Sequence, residues 1–366
     1  MQTELCRRLG LEFPIVAFSH CRDVVAAVSN AGGLGVLGIS GSSVDELDRE
    51  LTWIEKAIGA RPYGVDVLLP APATEASVSV EDLIPAAHKE FVADLMARYG
   101  VPPLPDAGPV RTVPGALAAH GVALIEAALE HRVGLVASAL GPPPPEMVTR
   151  AHDRGVPVAA LVGKREHAER QRDAGVDIIV AQGYEAGGHV GEIGTMVLVP
   201  EVVDAVAPLP VLAAGGIASG RQVAAALALG AQGVWTGSVW LTTQEAETHP
   251  AVVAKFLRAT SSDTIRSRAT TGKPARQLRT AWTDEWENPV NPDPLPMPLQ
   301  TILTADARAR IQRSANKPDS GAGALITYFV GQVVGSLRTV RPARQVVLNM
   351  VEEYLEAVER LGGSAG

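Results

Sequence analysis

The stretch LPVLAAGGIASGRQVAAALALGAQGVWTGS, residues 209–238, contains one complete strand–helix–strand unit. An apolar run at 209–216 ends in two glycines, a segment of helical period follows at 219–230, and a second apolar run covers 232–238. Apolar strands joined by a helix are typical of neighbouring parallel strands, because the helix covers the outer face of the sheet. The stretch therefore predicts a parallel sheet with helices packed against it.

The same unit repeats along the first two thirds of the chain. Apolar runs that predict strands number eight, at 14–18, 34–38, 63–69, 133–140, 156–163, 176–183, 209–216 and 232–238. Segments of helical period lie between them, among them 23–32, 44–59, 166–175, 199–207 and 219–230. Several of these segments end in glycine, which readily takes the left-handed backbone of a helix C-terminus. The chain therefore reads as eight β–α units.

Eight such units predict a closed (β/α)8 TIM barrel. An open doubly wound sheet would show the same alternation of strands and helices. We favour the barrel because the count reaches eight and because glycines cluster at the C-terminal ends of several strands, where barrel enzymes bind ligands.

Two regions depart from this repeat. Residues at about 70–115 are too long for a simple loop, so they predict an insertion after strand three, with an amphipathic helix at about 81–99. Beyond residue 240 the chain is irregular and rich in proline before helical patterns return at 301–313 and 341–361. We expect a barrel over 1–240 and a mostly helical cap over 241–366.

Composition excludes several classes of function. A net charge of −8 disfavours a nucleic-acid surface, which needs a concentrated basic footprint. Two cysteines, Cys6 and Cys21, are too few for a disulfide framework or a familiar zinc site. No apolar run of about twenty residues predicts a membrane helix, and charges interrupt the first twenty residues, so no secretory signal is expected. We expect a cytoplasmic protein that acts on a small molecule. A homo-oligomer is possible, and the sequence does not decide the oligomeric state.

Glycines follow the last two predicted strands. Gly215 and Gly216 end one strand, and Gly237 with Ser238 ends the next. A phosphate group needs converging backbone N–H donors with no Cβ atoms in the way, and barrels commonly bind phosphate after strands seven and eight. A single Gly-Gly pair is weak evidence, because tight turns use it often. Two such turns at these strands favour a phosphate site.

The end of strand six reads AQGYEAGGHVG, residues 181–191. The carboxamide of Gln182 both donates and accepts hydrogen bonds, as the edge of a flavin ring requires. Gly187 and Gly188 would let the backbone approach a flat ligand. His189 follows directly, and a neutral imidazole can remove a proton near pH 7. Alternatively, Gln182 is a buried amide with a structural role only, and His189 has no role in function.

These motifs resemble the nitronate monooxygenase family, formerly called 2-nitropropane dioxygenases, whose members are FMN-dependent (β/α)8 barrels. The likeness rests on AQGYEAGGHVG and on PVLAAGGIASGRQVAAALALGAQGVWTGS, and it extends to AAVSNAGGLGVLG (26–38), RPYGVDVLLP (61–70), TGKPAR (271–276) and YFVGQVVGSL (328–337). The resemblance implies oxidation of alkyl nitronates by O2 to a carbonyl compound and nitrite. It also implies that His189 is the catalytic base for neutral nitroalkanes.

The resemblance also identifies a cofactor site. The positions that match FMN-binding residues are Gln182, Gly187, Gly216, Trp235, Thr236, Gly237 and Ser238. Gly188 and Gly215 join them from the glycine turns, and Phe18, Ser19 and Asp66 join them from the ends of strands one and three. No metal is expected.

Three positions depart from the family pattern. The end of strand one reads AFSH where many members have QAPM or GPM, Asp66 stands where many have asparagine, and ASALG replaces a frequent SFHFG at strand four. A carboxylate can donate a hydrogen bond to the flavin only when it is protonated. His20 could act as a second acid or base, or it could turn to solvent beside Asp23. Lys164 and Arg165 could neutralise an anion, although a solvated face is the simpler interpretation.

Two other functions stay open. The same barrel and FMN could take electrons from NAD(P)H to reduce a quinone or an enoyl thioester, because a nicotinamide that stacks on FMN needs no separate nucleotide-binding motif. A flavin-binding protein without turnover is the non-catalytic alternative. A nucleotide-processing barrel with a covalent cysteine is disfavoured, since both thiols lie near strand one.

Overall fold

A computed structural model describes residues 1–68, 83–104 and 114–363, with the backbone alone for 114–119. Its eleven strands are β1 Ile15–Ser19, β2 Leu34–Gly38, β3 Tyr63–Leu68, β4 Leu135–Ala139, β5 Val158–Val162, β6 Ile178–Gln182, β7 Gly188–His189, β8 Val211–Ala214, β9 Gly233–Thr236, β10 Thr264–Ser267 and β11 Ala275–Leu278. Eight of them close into a parallel barrel in the order β1-β2-β3-β4-β5-β6-β8-β9. The predicted (β/α)8 TIM barrel is confirmed.

The helices that follow the strands cover the outside of the barrel. The first nine are α1 Glu4–Leu9, α2 Arg22–Asn30, α3 Val44–Ile58, α4 Ala86–Arg98, α5 Pro114–Leu129, α6 Pro145–Asp153, α7 Arg165–Asp173, α8 Thr195–Val206 and α9 Gly220–Ala228. The last five are α10 Pro250–Phe256, α11 Ala281–Glu287, α12 Leu299–Ser314, α13 Ala322–Leu325 and α14 Ala343–Gly363. The strands are nearly all buried because helices cover one face and the barrel interior encloses the other.

One apolar cluster lies between the strands and the helices that cover them, and a second fills the inside of the barrel. Its interior is filled by alternate strand residues such as Val36, Ala137, Val180 and Leu212. Helix α1 adds Leu5, Cys6 and Leu9 to the same cluster. Barrel enzymes bind their ligands at the opposite end, where the strands have their C-terminal ends.

One helix begins earlier than its pattern indicated. The sequence predicted a helix at 199–207, whereas α8 begins at Thr195 and contains Pro200. The carboxylate of Glu185 accepts hydrogen bonds from the Thr195 N–H at 2.9 Å and from its hydroxyl at 2.8 Å. This acceptor comes from another loop, so the apolar periodicity of the helix does not reveal it.

The insertion and the chain after β9 share a second apolar cluster. Leu95 and Met96 of α4 pack with Phe256, Trp282 and Ile311 from the later helices. The helix expected at about 81–99 is α4, while residues 69–82 and 105–113 of the predicted insertion lie outside the described residues. A division into two units near residue 240 stays a prediction. The shared cluster indicates that the insertion packs with the later residues.

A small antiparallel sheet lies outside the barrel, and the sequence did not predict it. β11 pairs with β10 on one side and with the two residues of β7 on the other. Its pairing places Ala275 opposite His189. None of the helices in the described parts of the chain combines the length and apolar character that a membrane crossing demands.

Candidate active site

A cavity of about 1590 Å³ opens at the C-terminal ends of the barrel strands. His189 and every predicted cofactor position line it, namely Phe18, Ser19, Asp66, Gln182, Gly187, Gly188, Gly215, Gly216, Trp235, Thr236, Gly237 and Ser238. These residues come from the ends of five strands and the loops after them. The fold therefore brings the predicted residues together around one space.

The loop after β6 is held from two sides. The guanidinium of Arg276, on β11, stacks 4.3 Å from the ring centroid of Tyr184 and donates to the Tyr184 carbonyl oxygen at 3.0 Å. On the other side the Glu185 carboxylate binds the first turn of α8. These contacts determine the path of the chain that leads to His189. Sequence reasoning found no role for Arg276 beyond its place in TGKPAR.

His189 has one occupied and one free ring nitrogen. Its Nε2 lies 2.9 Å from the Thr271 hydroxyl, and Nδ1 has no hydrogen-bond partner in the described part of the chain. The Phe329 ring lies 6.2 Å away between centroids. Burial, with a smaller contribution from the Lys273 charge, lowers the pKa of His189 to about 4. The imidazole is therefore neutral at pH 7, which is the form that accepts a proton.

The two glycines before His189 have different physical reasons. A Cβ atom on Gly187 would lie 2.8 Å from the carbonyl carbon of Val330 and 2.9 Å from the nitrogen of Gly331. Gly188 has open space around its Cβ position but a φ of +78°. Residue 187 must therefore be glycine because the backbone of Val330 and Gly331 passes too close to leave room for a Cβ atom. Gly188 is required by its own left-handed backbone.

The turns after β8 and β9 form a cradle of backbone donors. Gly215 and Gly216 have φ values of +99° and +71°. The side chain of Gln222 holds the turn. Its Oε1 accepts from the Ala218 N–H at 2.9 Å, and its Nε2 donates to the Gly216 carbonyl oxygen. The N–H groups of Gly216 and Gly237 have no protein acceptor among the described residues. Free N–H groups at this place fit the phosphate of a mononucleotide.

Aromatic side chains form the wall beside this cradle. Phe18 stacks on Trp235 with centroids 6.4 Å apart and an interplanar angle of 22°. Gln182, at the end of β6, lines the same space. Its side chain makes no hydrogen bond with the described residues, so its amide is available to a ligand.

The structure brings His20 into the cavity wall. Its Nδ1 lies 3.1 Å from the carbonyl oxygen of Gly38, and its ring meets Phe18 edge to face at 5.1 Å. A Cβ on Gly38 would lie 2.6 Å from two atoms of the His20 ring. Because a carbonyl only accepts, the neutral ring carries its proton on Nδ1 and leaves Nε2 as an acceptor. The contact with Gly38, and not Asp23, orients His20.

Asp66 lies beside Gly38 in the β2–β3 register. Its side chain is 5% exposed, and burial raises the pKa of the Asp66 carboxyl to about 7. A large fraction is therefore protonated at neutral pH and can donate a hydrogen bond. The departure from asparagine at this position does not remove a donor.

Several cavity residues were missed by sequence reasoning. Thr271 and Lys273 come from the loop before β11, Arg308 from α12, and Tyr328 and Phe329 from the segment that bridges to β11. The motifs TGKPAR and YFVGQVVGSL were noted, but their patterns carry no information on which strand end they face. Lys164 lines the cavity, whereas Arg165 forms an ion pair with Glu169 at 2.9 Å.

A group of potential metal ligands lies at the edge of the cavity. Ligand atoms of Cys21, Asp23 and Glu247 lie within 4.8 Å of one another. Burial raises the pKa of the Cys21 thiol, and its Sγ donates to the Glu245 carbonyl at 3.0 Å. Since metals bind the thiolate, this environment disfavours a metal.

The model of the family described as nitronate monooxygenase matches residues 12–353. The chain belongs to the nitronate monooxygenase family. This match confirms the family inferred from the motifs, and it makes the protein an oxidoreductase that acts on a small molecule. The nitronate monooxygenase family implies a flavin cofactor.

Relatives support the same assignment along the whole chain. The chain is 60% identical to "Putative monooxygenase Rv1533" of Mycobacterium tuberculosis, over 99% of both chains. It is also similar to the nitroalkane oxidase of Streptomyces ansochromogenes, with 29% identity, a TM-score of 0.80, and coverage of 98% of this chain and 99% of the other. FabK of Thermotoga maritima matches with 28% identity and a TM-score of 0.75, over 100% of this chain and 99% of the other.

Proposed function

We propose that this family member oxidises alkyl nitronates with O2 to a carbonyl compound and nitrite, with FMN as its flavin and His189 as the base for neutral nitroalkanes. One observation carries the proposal. Among the described residues, Nδ1 of the neutral His189 and the N–H groups of Gly216 and Gly237 have no hydrogen-bond partner, and all three residues line the same cavity.

The residues present fit FMN. The turns at Gly215–Gly216 and Gly237–Ser238 would hold its phosphate, and Gln182 and Asp66 would bond the edge of its ring. Phe18 and Trp235 supply an apolar wall for a flat ring. When bound, the flavin takes electrons from the substrate and passes them to O2.

His189 would act on the carbon next to the nitro group. Its Nδ1 accepts the proton from that carbon and leaves the substrate as the nitronate anion. Thr271 keeps the other ring proton on Nε2, so that Nδ1 presents its lone pair. The protein around the half-buried ring disfavours its charged form, and this keeps the base uncharged before the substrate arrives.

A second candidate keeps the flavin and reduces a quinone or an enoyl thioester with NAD(P)H. The cavity size favours retaining it, because 1590 Å³ exceeds the roughly 300–1,000 Å³ of most small-molecule sites. A nicotinamide would fit beside a flavin in such a space.

An anaerobic mixing experiment separates the two candidates. The FMN-loaded protein is mixed with propionate 3-nitronate and, separately, with NADH, and the flavin absorbance is followed. We expect bleaching by the nitronate. Bleaching by NADH at a catalytic rate with no response to the nitronate would overturn the first proposal in favour of the second. A protein that acquires no flavin spectrum on addition of FMN would overturn both.

The base role has its own test in His189→Asn. We expect this variant to lose activity on neutral nitroalkanes far more than on preformed nitronates, because only the former need proton abstraction. Equal losses on both substrates would show that His189 is not the base.

A further inference from the structure

One buried side chain in the cavity wall has an unpaired hydrogen-bond donor. Gln277 on β11 lines the cavity and is 1% exposed. Its Nε2 has no hydrogen-bond partner among the described residues. A buried amide N–H without an acceptor has lost its hydration and gained nothing in return, so native proteins leave few of them unpaired. A donor kept in this state beside a cavity indicates that a ligand supplies the acceptor.

Thr270 fixes the orientation of the Gln277 amide. The Thr270 hydroxyl donates to Oε1 of Gln277 at 2.7 Å, so the oxygen of the amide is occupied while its nitrogen is not. Thr270 is itself held in place, because its carbonyl oxygen accepts from the Thr304 hydroxyl of α12 at 3.2 Å. All three residues are buried. The donor of Gln277 is therefore preorganised, as a group that stabilises a developing charge must be.

The strand register places this donor beside His189. β11 runs antiparallel to β7, with Ala275 directly opposite His189. Side chains alternate along a strand, so Gln277 lies on the same face of the small sheet as Ala275 and His189. Gln277 and His189 are thus diagonal neighbours on paired strands, a relation in which Cβ atoms are roughly 7–8 Å apart and long side chains reach each other. Both residues line the cavity.

Two further contacts support this placement. Thr271, the residue after Thr270, lies 2.9 Å from Nε2 of His189 through its hydroxyl, so consecutive residues hold the imidazole and the amide. Gln277 also forms a backbone bridge with Phe329, whose ring lies 6.2 Å from the His189 ring. The base and the unpaired donor therefore belong to the same part of the cavity wall.

Removal of a proton from a nitroalkane creates a charge that such a donor would stabilise. When Nδ1 of His189 takes the proton, the C–H bond breaks and its electron pair forms the C=N bond of the nitronate. The negative charge moves to the two nitro oxygens. These oxygens carry more charge in the transition state than in the substrate, so a hydrogen bond to them accelerates the step.

We propose that Gln277 binds the substrate, with its Nε2 donating a hydrogen bond to a nitro oxygen while His189 takes the proton from the adjacent carbon. The identity of the ligand as a nitro compound rests on the proposed function, whereas the unpaired donor and its place beside His189 do not. The role of Gln277 is separate from that of the base. A preformed nitronate needs no base, but it still presents charged oxygens to the amide.

An unreactive nitro compound tests the contact without turnover. 2-Methyl-2-nitropropane has no proton on the carbon beside its nitro group, so it cannot react at His189. The FMN-loaded protein is titrated with this compound in a calorimeter. We expect Gln277→Met to weaken binding at least about threefold, because a hydrogen bond between neutral groups is lost. Equal binding by the wild type and Gln277→Met would overturn the proposal.

Gln312→Met is the matched control. Gln312 is an exposed glutamine of α12 that lines the same cavity, and the substitution removes the same amide. It should leave the binding of 2-methyl-2-nitropropane unchanged. An equal loss in Gln312→Met and Gln277→Met would mean that the general polarity of the cavity, and not Gln277, binds the nitro group.

Kinetics distinguish Gln277 from the base. Gln277→Met should lower kcat/KM by at least about tenfold both for nitroethane and for preformed ethyl nitronate, because a hydrogen bond to a charged group is lost with either substrate. His189→Asn should affect nitroethane far more than the nitronate. A Gln277→Met variant with wild-type kcat/KM on the nitronate would overturn the proposal.

Gln277→Glu distinguishes a donor from a packing role. The substitution preserves the shape of the side chain and the acceptor for Thr270, but the new carboxyl donates a hydrogen bond only when it is protonated. Burial favours the protonated form, so the donor is present near pH 5 and is lost as the carboxyl ionises. We expect kcat/KM for ethyl nitronate to be near the wild-type value at pH 5 and to decline relative to it as pH rises.

A Gln277→Glu variant that is as slow as Gln277→Met at pH 5 would overturn the proposal. The same variant keeps the proposal testable if Gln277→Met fails to fold. If the wild type oxidises neither nitroethane nor ethyl nitronate, the proposed function fails, while the calorimetric titration still decides whether Gln277 binds a nitro group.

Discussion

The Nε2 atom of His189 lies 2.9 Å from the Thr271 hydroxyl, which itself lies 3.1 Å from the Lys273 carbonyl oxygen. A carbonyl only accepts, so the Thr271 hydroxyl donates to it and accepts from His189. The hydroxyl therefore selects the His189 tautomer with a free Nδ1.

Without that hydroxyl, His189 should no longer be restricted to the tautomer with a free Nδ1. We expect Thr271→Val to lower kcat/KM for neutral nitroalkanes by about tenfold, the effect of partners that orient a functional histidine, while preformed nitronates are affected less. Thr271→Ser keeps the hydroxyl and should retain most of the activity. A Thr271→Val variant that loses both activities equally would indicate a packing role.

The low pKa of His189 makes stability depend on pH. The folded pKa of about 4 lies below the ordinary 6.5, so the unfolded chain binds more protons between these values. The free energy of unfolding should fall as pH drops from about 6.5 to about 4. His189→Asn should remove this contribution. Urea unfolding of both proteins across this window measures it, and parallel pH profiles would contradict the assigned shift.

Asp66 should make cofactor binding depend on pH in the opposite sense. Its folded pKa of about 7 exceeds the ordinary 3.8, so the carboxyl loses its donor proton as pH rises through about 7. FMN affinity, followed by quenching of flavin fluorescence, should therefore fall between pH 6 and pH 8. Asp66→Asn keeps a donor at every pH and should flatten this profile. A wild-type affinity that rises with pH would show that Asp66 is not a donor to the flavin.

The same raised pKa predicts a separate effect on stability. The folded protein binds the extra proton between pH 3.8 and about 7, so Asp66 should destabilise the fold progressively as pH rises through that window. Asp66→Asn should be more stable than the wild type at pH 8, as measured by urea unfolding of the apoprotein. Lower stability of the variant at pH 8 would contradict the effect of burial.

The glycines before His189 should respond differently to substitution. Gly187→Ala places a Cβ against the backbone of Val330 and Gly331 and should cost about 1–3 kcal/mol of unfolding free energy, as overpacking does. Gly188→Ala meets open space and should cost about 1 kcal/mol from its left-handed backbone. Gly188→Asn should recover part of that loss, since asparagine tolerates this conformation. Thermal unfolding compares the three variants, and equal costs at both positions would argue against the close approach.

Much of the barrel could be predicted from local patterns. The predicted strand at 34–38 coincides with β2, and the other barrel strands differ from their predictions by a few residues at the ends. These strands are buried on both faces, so their apolar runs carry a strong signal. Helix α8 is the exception, because its first turn depends on Glu185 from another loop.

The candidate site was predictable only where residues follow a strand directly. The residues at 182–189, 215–216 and 235–238 could be placed at the barrel mouth because parallel strands all end there. Thr271, Arg276 and Arg308 could not be placed there, because the sequence around each of them does not indicate which loops it contacts in the folded protein.

The sequence by itself determined the barrel, the glycine turns and the histidine that faces the cavity, because apolar periodicity and glycine act through local backbone preference. Only the tertiary structure decided how that histidine is tuned. Its neutral state and its tautomer depend on burial and on contacts between residues more than 80 positions apart, such as His189 and Thr271 with a separation of 82. Burial and electrostatics are properties of the packed molecule, and no local stretch of the chain encodes them alone.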